Sequence, residues 1–354
     1  MAKNIPISSV GEFGLIEKIK NTIKLGPNTS MGPGDDCAVI TPKNQQYLVS
    51  TDSLVEGIHF DNSFMSLEHI GYKAVISNVS DIYAMNGDPM HITVSLGISN
   101  KYSVQDIEDL YSGIQRGCKK HGIDVIGGDI NSSFSGLVIN ITVIGAQKKE
   151  NIIYRSGAQN GDFVVVSGDL GSAYLGLQIL LREQGVLDGS YENKTITQDI
   201  KKQLKKNQLL IERQIKPEAR GDVVQFLRNN NIRPTSMIDI SDGLSSDLLH
   251  ITKASNVSVI VYENKIPIAK EAVNFCQQHS LNPTVIALSG GEDYELLFTV
   301  KPSQIDKLTT LSGLSIIGKI GPSNNKDKLI LSDGKEVDFK NIGWDHFNAQ
   351  NQSR

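Results

Sequence analysis

Apolar residues recur along this chain with two different periods, and the two periods take turns. Tyr47–Thr51 reads as a short buried strand that ends at a cluster of polar residues. His91–Leu96 and Leu137–Ile144 alternate apolar and polar positions, as half-buried strands do. Between them, Ile70, Ala74, Val75, Val79 and Ile82 fall at helical spacing and predict a helix over Leu67–Met85. Val104–His121 predicts a second, amphipathic helix, with Gly122 where a C-terminal cap belongs. Strands separated by helices indicate an α/β or α+β fold class.

The pattern changes over Gln147–Gly161. This stretch is polar, and Arg155-Ser156-Gly157 runs into the turn signal Gly161-Asp162. Phe163–Ser167 then predicts a new strand and Ala173–Glu183 a helix, and the alternation continues through Val300. The expected division is therefore 1–150 and 151–354, and a chain of 354 residues is long enough for two such domains. Gly185–Lys206 is charged and weakly patterned, and its lysines (Lys201, Lys202, Lys205, Lys206) read as a solvated helix face.

Composition narrows the function classes. Lys and Arg number 35 against 39 Asp and Glu, a net charge of −4, so the basic excess of a nucleic-acid binder is missing. Cys37, Cys118 and Cys276 are far apart and odd in number, which suits neither a disulfide framework nor a C-x-x-C metal knuckle. Met1–Leu15 has no apolar signal core, and no run approaches the roughly 20 apolar residues of a membrane span. The expectation is a cytoplasmic protein without a membrane anchor.

The chemistry gathers in aspartates that are expected at turns after apolar runs. They occur as Gly34-Asp35-Asp36, Ser50-Thr51-Asp52, Gly127-Gly128-Asp129 and Asp239-Ile240-Ser241-Asp242-Gly243; Asp81, in Asn78-Val79-Ser80-Asp81, sits late in a helix. Hard divalent cations want carboxylate oxygens, and Mg²⁺ is commonly held by one or two of them per ion, with phosphates and water completing its shell. A single Asp beside Gly is more often a turn or a cap. Several such sites in one chain raise the case for metal binding. Gly127-Gly128 and Gly290-Gly291 could let backbone amides approach a phosphate, or simply make tight turns. There is no P-loop, protein-kinase core, dinucleotide fingerprint, nucleophile elbow or H-E-x-x-H helix. His59, just after the Asp52 cluster, is the one histidine that draws notice.

Taken together, these segments resemble thiamine-monophosphate kinase. The matching motifs are Gly34-Asp35-Asp36, Ser50-Thr51-Asp52, Val55-Glu56-Gly57-Ile58-His59-Phe60, Asn78-Val79-Ser80-Asp81, Gly127-Gly128-Asp129, Arg155-Ser156-Gly157-Ala158, Asp239–Leu244, Ser289–Leu296 and Gly343–Phe347. They run in family order over nearly the whole chain. Aminoimidazole ribonucleotide synthetase and selenophosphate synthetase share the acidic turns more loosely. The resemblance implies a two-domain aminoimidazole ribonucleotide synthetase-like fold, dimerising through strands of the N-terminal domain, with the active site in the cleft beneath the C-terminal α/β domain. It implies transfer of the γ-phosphate of ATP to thiamine monophosphate, assisted by several Mg²⁺ ions.

Carried over by position, the resemblance makes Asp36, Ser50, Thr51, Asp52, Asp81, Asp129, Asp239 and Asp242 Mg²⁺ ligands, with Asp35 assisting. Gly128, Asp129, Arg155, Ser241 and Tyr111 fall on the ATP side, and His59, Glu292 and Trp344 on the thiamine monophosphate side. Asp52, Asp129, Arg155 and Asp242 are the expected catalytic set. The chain departs from the family at Ile130-Asn131, at Asn86-Gly87-Asp88-Pro89 and in the loop Gly185–Lys194. Two rival readings are another ATP-using enzyme of the same superfamily and a non-catalytic nucleotide-binding maturation protein.

Overall fold

The computed structural model describes residues 29–31, 35–40, 46–188, 204–308 and 311–343. Its first part builds β1 (Thr29–Met31), β2 (Ala38–Ile40), β3 (Gln46–Val55), α1 (Leu67–Ala84), β4 (Asp88–Ile98), α2 (Val104–His121), β5 (Asp124–Ser132) and β6 (Val138–Gln147). These six strands form one sheet in the order β1-β2-β3-β6-β4-β5. Neighbours are antiparallel except for the parallel pair β4 and β5. Ile92, Val94, Leu96, Ile139, Ile141 and Val143 are buried at alternate positions and meet α1 and α2 in one core. The opposite face is polar and open, with Thr51, Ser53, Ser95, Asn140 and Thr142.

Strand β3 does not stop at the polar cluster, as its sequence suggests. The long β6 offers it a full ladder, and every residue from Gln46 to Val55 has a partner there. Ser50, Thr51, Asp52 and Ser53 therefore lie inside a strand, where the ladder satisfies their backbone whatever their side chains. Asp129 is likewise inside β5, opposite Ser95, and not in a turn.

Helix α2 has the predicted bounds. Ser103 and Asp106 close a capping box, and Gly122 (φ 67°) is its left-handed C-cap. Helix α1 is buried on nearly every side, which its amphipathic spacing does not announce. One side meets the first sheet. Another crosses α2 at close range: a Cβ on Gly71 would fall 2.1 Å from the Leu110 carbonyl oxygen, and one on Gly113 1.9 Å from that of Glu68. A third turns towards the second half of the chain, where Ala84 joins a core that includes Met237, Leu296 and Phe298.

That second half comprises β7 (Phe163–Ser167), α3 (Ser172–Asp188), α4 (Gln208–Ile215), α5 (Gly221–Asn229), β8 (Ser236–Asp239), α6 (Leu244–Ser255), β9 (Ser258–Tyr262), α7 (Lys270–Gln278), α8 (Pro283–Ser289), β10 (Leu296–Val300), α9 (Ile305–Leu308), β11 (Leu314–Gly321), β12 (Lys328–Ile330) and β13 (Glu336–Asp338). Its seven strands run in the order β13-β12-β9-β11-β7-β10-β8. Cores lie on both faces. Val164 and Val166 of β7 pack with α6, while Val165 packs with α5 and α9, which explains an apolar run without alternation. The chain is thus a mixed α/β protein with two sheets. Among the described residues no helix is long and apolar enough to cross a membrane.

Gly113→Ala should destabilise the protein by about 2–3 kcal/mol, because the methyl meets backbone rather than a side chain that can move. Chemical denaturation checks this, and an unchanged midpoint would show that α1 and α2 can separate at little cost.

Candidate active site

Four carboxylates converge where β3, α1 and β8 meet. Asp36 sits in the bend before β2, Asp81 on the last turn of α1, and Asp239 at the end of β8. One oxygen from each of these three lies within 4.8 Å of the others. Asp52 on β3 is close enough for its charge to act on Asp81 and Asp239. The backbone holds it there: the Asp52 amide donates to Asn78 Oδ1 at 3.2 Å. Ser50 Oγ donates to Asp81 Oδ2 at 2.5 Å, and Ser80 Oγ to Asp239 Oδ2 at 2.6 Å, so neighbouring hydroxyls already occupy one oxygen of each.

The cluster holds more negative charge than its surroundings offset. Burial, and then the charge of Asp36, push Asp239 up to about 8. The same two causes push Asp35 up to about 7 and raise Asp52. Burial, then the charges of Asp52, Asp239 and Asp36, raise Asp81 well above the ordinary carboxylate range. Arg155 answers part of this. Its Nη2 and Nε donate to the two oxygens of Asp36 at 2.9 and 3.0 Å, and its amide donates to Asp35 Oδ2 at 3.1 Å. One guanidinium against this many acids leaves a strong local field. Opposite oxygens around a Mg²⁺-sized ion are about 4.2 Å apart. The spacing and the all-oxygen donor set therefore fit a hard divalent cation.

The remaining residues singled out in the sequence are distributed around this centre. Ser50 and Asp52 share the covered side of the sheet with Leu48 and Leu54, while Thr51 lies on the open side, its Oγ1 donating to the Ile141 carbonyl at 3.0 Å. Asp129 also lies on the open side. It belongs to the row Ser53–Asn140–Ser95–Asp129, three strand spacings or about 14 Å from β3. Asn131 Nδ2 donates to Asp129 Oδ2 at 2.5 Å. Gly128 has a packing reason to be glycine, since a Cβ there would fall 2.0 Å from the Val94 carbonyl oxygen. Tyr111 is half-buried on α2 against the first core, and among the described residues no hydrogen bond links it to the acids.

After β8, Ser241 and Asp242 form the turn into α6. Both their amides donate to Asp247 Oδ2 at 3.2 Å, and burial, then Asp242 and Asp239, raise the pKa of Asp247. Beside this turn runs the segment Gly290–Glu295. Glu292 and Tyr294 both have left-handed backbone (φ 65° and 51°), a strained choice that the surroundings enforce. The Glu292 amide donates to the Ser241 carbonyl at 2.8 Å, and the Tyr294 amide to that of Ile240 at 2.9 Å. Asp293 accepts the amides of Gly171 and Ala173 at the start of α3, at 2.7 and 3.4 Å. Glu295 is fully buried and pairs with Arg213, Arg220 and the Ser167 hydroxyl. His59 lies near enough to help lower the Glu292 pKa, and its Nδ1 accepts the Val55 amide at 3.1 Å. Trp344 lies outside the described residues.

Sequence reasoning passed over Asp247, Lys73 and Gln214. Lys73 is the lone charge in Ile70–Ser80, a usable signal for a buried ion pair. Asp247 and Gln214 carry no local sign, because their partners are set by tertiary packing.

Raised carboxylate pKa values mean that the folded protein binds more protons than the unfolded chain, so without a cation their stabilising contribution is whole below about pH 4. It is lost as pH rises through about 7 for Asp35 and about 8 for Asp239. Asp81→Asn should then stabilise the chelator-treated protein by about 2 kcal/mol at pH 8, part of the roughly 4 kcal/mol repulsion of two charges 4 Å apart at an effective dielectric of 20. The gain should shrink towards pH 5. Thermal melts of both proteins across this range check it, and a variant less stable than wild type at pH 8 would refute the repulsion.

Comparison with known proteins places this arrangement. The profile described as AIR synthase related protein, N-terminal domain, matches residues 34–147. Thiamine-monophosphate kinase of Aquifex aeolicus is 34% identical over 341 residues, covering 96% of this chain and 99% of its own. The Bacillus subtilis enzyme of the same name is 34% identical over 344 residues, covering 95% and 99%. The solved structure of AaThiL complexed with AMPPCP and TMP superposes with a TM-score of 0.80 at 32% identity, over 98% of this chain and 100% of that one. By sequence over nearly its full length and by fold, the chain belongs to the thiamine-monophosphate kinase family.

Proposed function

We propose that this protein transfers the γ-phosphate of ATP to the phosphate of thiamine monophosphate, giving ADP and thiamine diphosphate. The observation that carries the reading is the meeting of Asp36, Asp81 and Asp239, with one oxygen of each within 4.8 Å of the others. The relatives' shared name and the AMPPCP and TMP held by the solved neighbour support the choice of substrates.

Donor and acceptor are both anions. Two unit charges 4 Å apart repel by about 4 kcal/mol at an effective dielectric of 20. Several Mg²⁺ ions would supply the positive charge that offsets this and polarises the transferred group. Asp36, Ser50, Asp52, Asp81 and Asp239 are the residues that would hold them, with Thr51 and Asp242 at the margins. Ser241 and Gly128 would present backbone to the nucleotide, with Tyr111 a further nucleotide contact. Arg155 holds Asp36 through Nε and Nη2 and has Nη1 hydrogens left for a phosphate oxygen. The acceptor phosphate has a second pKa of about 6, so its oxygen is already deprotonated at neutral pH and needs no strong base. Catalysis is then positioning and electrostatics. His59, Glu292 and Trp344 take the organic part of the acceptor.

We further place the protein in the cytosol as a homodimer, with residues 1–150 dimerising and binding the nucleotide and 151–354 completing the cleft. Cys37, Cys118 and Cys276 are free and buried, as a reducing compartment permits. Strand β5 is an edge, exposed at every residue, with Val125, Ile126 and Ile130 turned to solvent. An apolar edge of this kind is a template for pairing. A second copy would also explain why Asp129 stands so far from Asp52 within one chain.

ADP release should require thiamine monophosphate and be absent with thiamine or without acceptor. Equal release under all three conditions points to another ATP-using enzyme, and none at all to a nucleotide-binding protein. Asp52→Asn should lower kcat at least about 100-fold with the fold intact; a wild-type rate would remove Asp52 from the metal set. Ile126→Lys should give a folded monomer by light scattering, with activity lost alongside dimerisation, whereas an unchanged dimer would place the interface elsewhere.

A further inference from the structure

Lys73 is 1% exposed, in the middle of α1 between Tyr72 and Ala74. Lysines are almost never this deeply buried without a partner, because an ammonium gives up its hydration on leaving water. Its Nζ lies 2.6 Å from Glu292 Oε1. Among the described residues it makes no other ion pair, and it has no hydrogen bond of sound geometry. One contact is poor compensation for a buried charge, and on stability alone a pair of apolar side chains would serve as well as this ion pair. The arrangement makes more sense through its effect on Glu292.

Glu292 is gripped from behind by three elements. Lys73 of α1 takes Oε1, Gln214 Nε2 of α4 donates to Oε2 at 2.8 Å, and the Ser241 carbonyl accepts its amide at 2.8 Å. Lys73 and Gln214 are buried, while the Glu292 side chain keeps 29% of its surface. A carboxylate oxygen has two lone-pair directions, so each oxygen retains one for the cleft. We propose that Lys73 is a positioning residue for the acceptor substrate: with Gln214 it fixes the Glu292 carboxylate, ionised and facing outward, to receive the cationic or amino-bearing organic part of thiamine monophosphate. Burial alone would raise the Glu292 pKa, yet the close positive charge of Lys73, then Gln214 and His59, hold it below the ordinary range. The inference rests on Glu292 being an acceptor contact.

The test compares full-length Lys73→Met, Glu292→Gln and the double variant by KM for thiamine monophosphate, KM for ATP, kcat and melting temperature. Lys73→Met should raise the acceptor KM about tenfold, as expected for disturbing a hydrogen bond to a charged group. The ATP KM should stay within about twofold, and melting temperatures confirm that each variant is folded under the assay conditions. In the Glu292→Gln background the same substitution should add little. If Lys73→Met does not fold, Gln214→Leu removes the other donor and should give the same acceptor-specific rise. Equal rises for both substrates, or a full Lys73→Met effect without Glu292, overturn the proposal. A loss in Glu292→Gln with a silent Lys73→Met overturns it while leaving Glu292 in place. A silent Glu292→Gln removes the acceptor role of Glu292 and the positioning role together.

Discussion

Mutual repulsion of buried carboxylates is the constraint around which this molecule is arranged. Asp36, Asp52, Asp81 and Asp239 come from segments far apart in sequence, and only the packed fold forces them together. Burial and mutual charge raise the pKa values of Asp52, Asp81 and Asp239, and the repulsion left over pushes the elements apart. Arg155, Ser50 and Ser80 relieve part of the strain by donating to these groups. What remains is an unmet demand for positive charge, which is the property a site for polyphosphates and their counter-ions requires. The same field would repel a bare phosphate, so the cluster makes chemical sense only with cations between the two.

Helix α1 carries this arrangement from the first sheet to the second. Asp81 faces the acids of the first unit, Ser80 reaches Asp239 of β8, and Lys73 reaches Glu292. A helix buried all round must satisfy each side separately. It does so with small residues against α2, apolar ones against the sheet, and polar ones against the second half of the chain.

Much of this was legible in the residues. The capping pattern of α2 and the continuous apolar run of β7 set those elements where they are found. The acidic motifs marked Asp36, Asp81 and Asp239, which do converge. Strand β3 was underestimated because polar residues interrupt its pattern, and the ladder that sustains them belongs to β6, some ninety positions later. Local reading likewise placed Asp52 and Asp129 at turns, since it sees composition and not pairing. The second buried side of α1 was hidden for a related reason: Lys73, Ser77, Asn78 and Ser80 are polar, and polar residues on a helix ordinarily mean solvent. Ser77 and Asn78 donate back to the Ala74 carbonyl within the helix, but the partners of Lys73 and Ser80, and the Asp52 amide that Asn78 accepts, come from segments that no window around α1 contains.

The Gly71–Gly113 crossing has a further implication. With backbone against backbone, α1 has almost no freedom to slide or roll on α2. Asp81 and Lys73 are therefore fixed to one rigid rod, and any displacement that retuned one would misplace the other. Divergence towards a different acceptor in this lineage would be channelled away from the helix and into side chains outside it, such as those of the turn bearing His59, whose exchange leaves the rod in place.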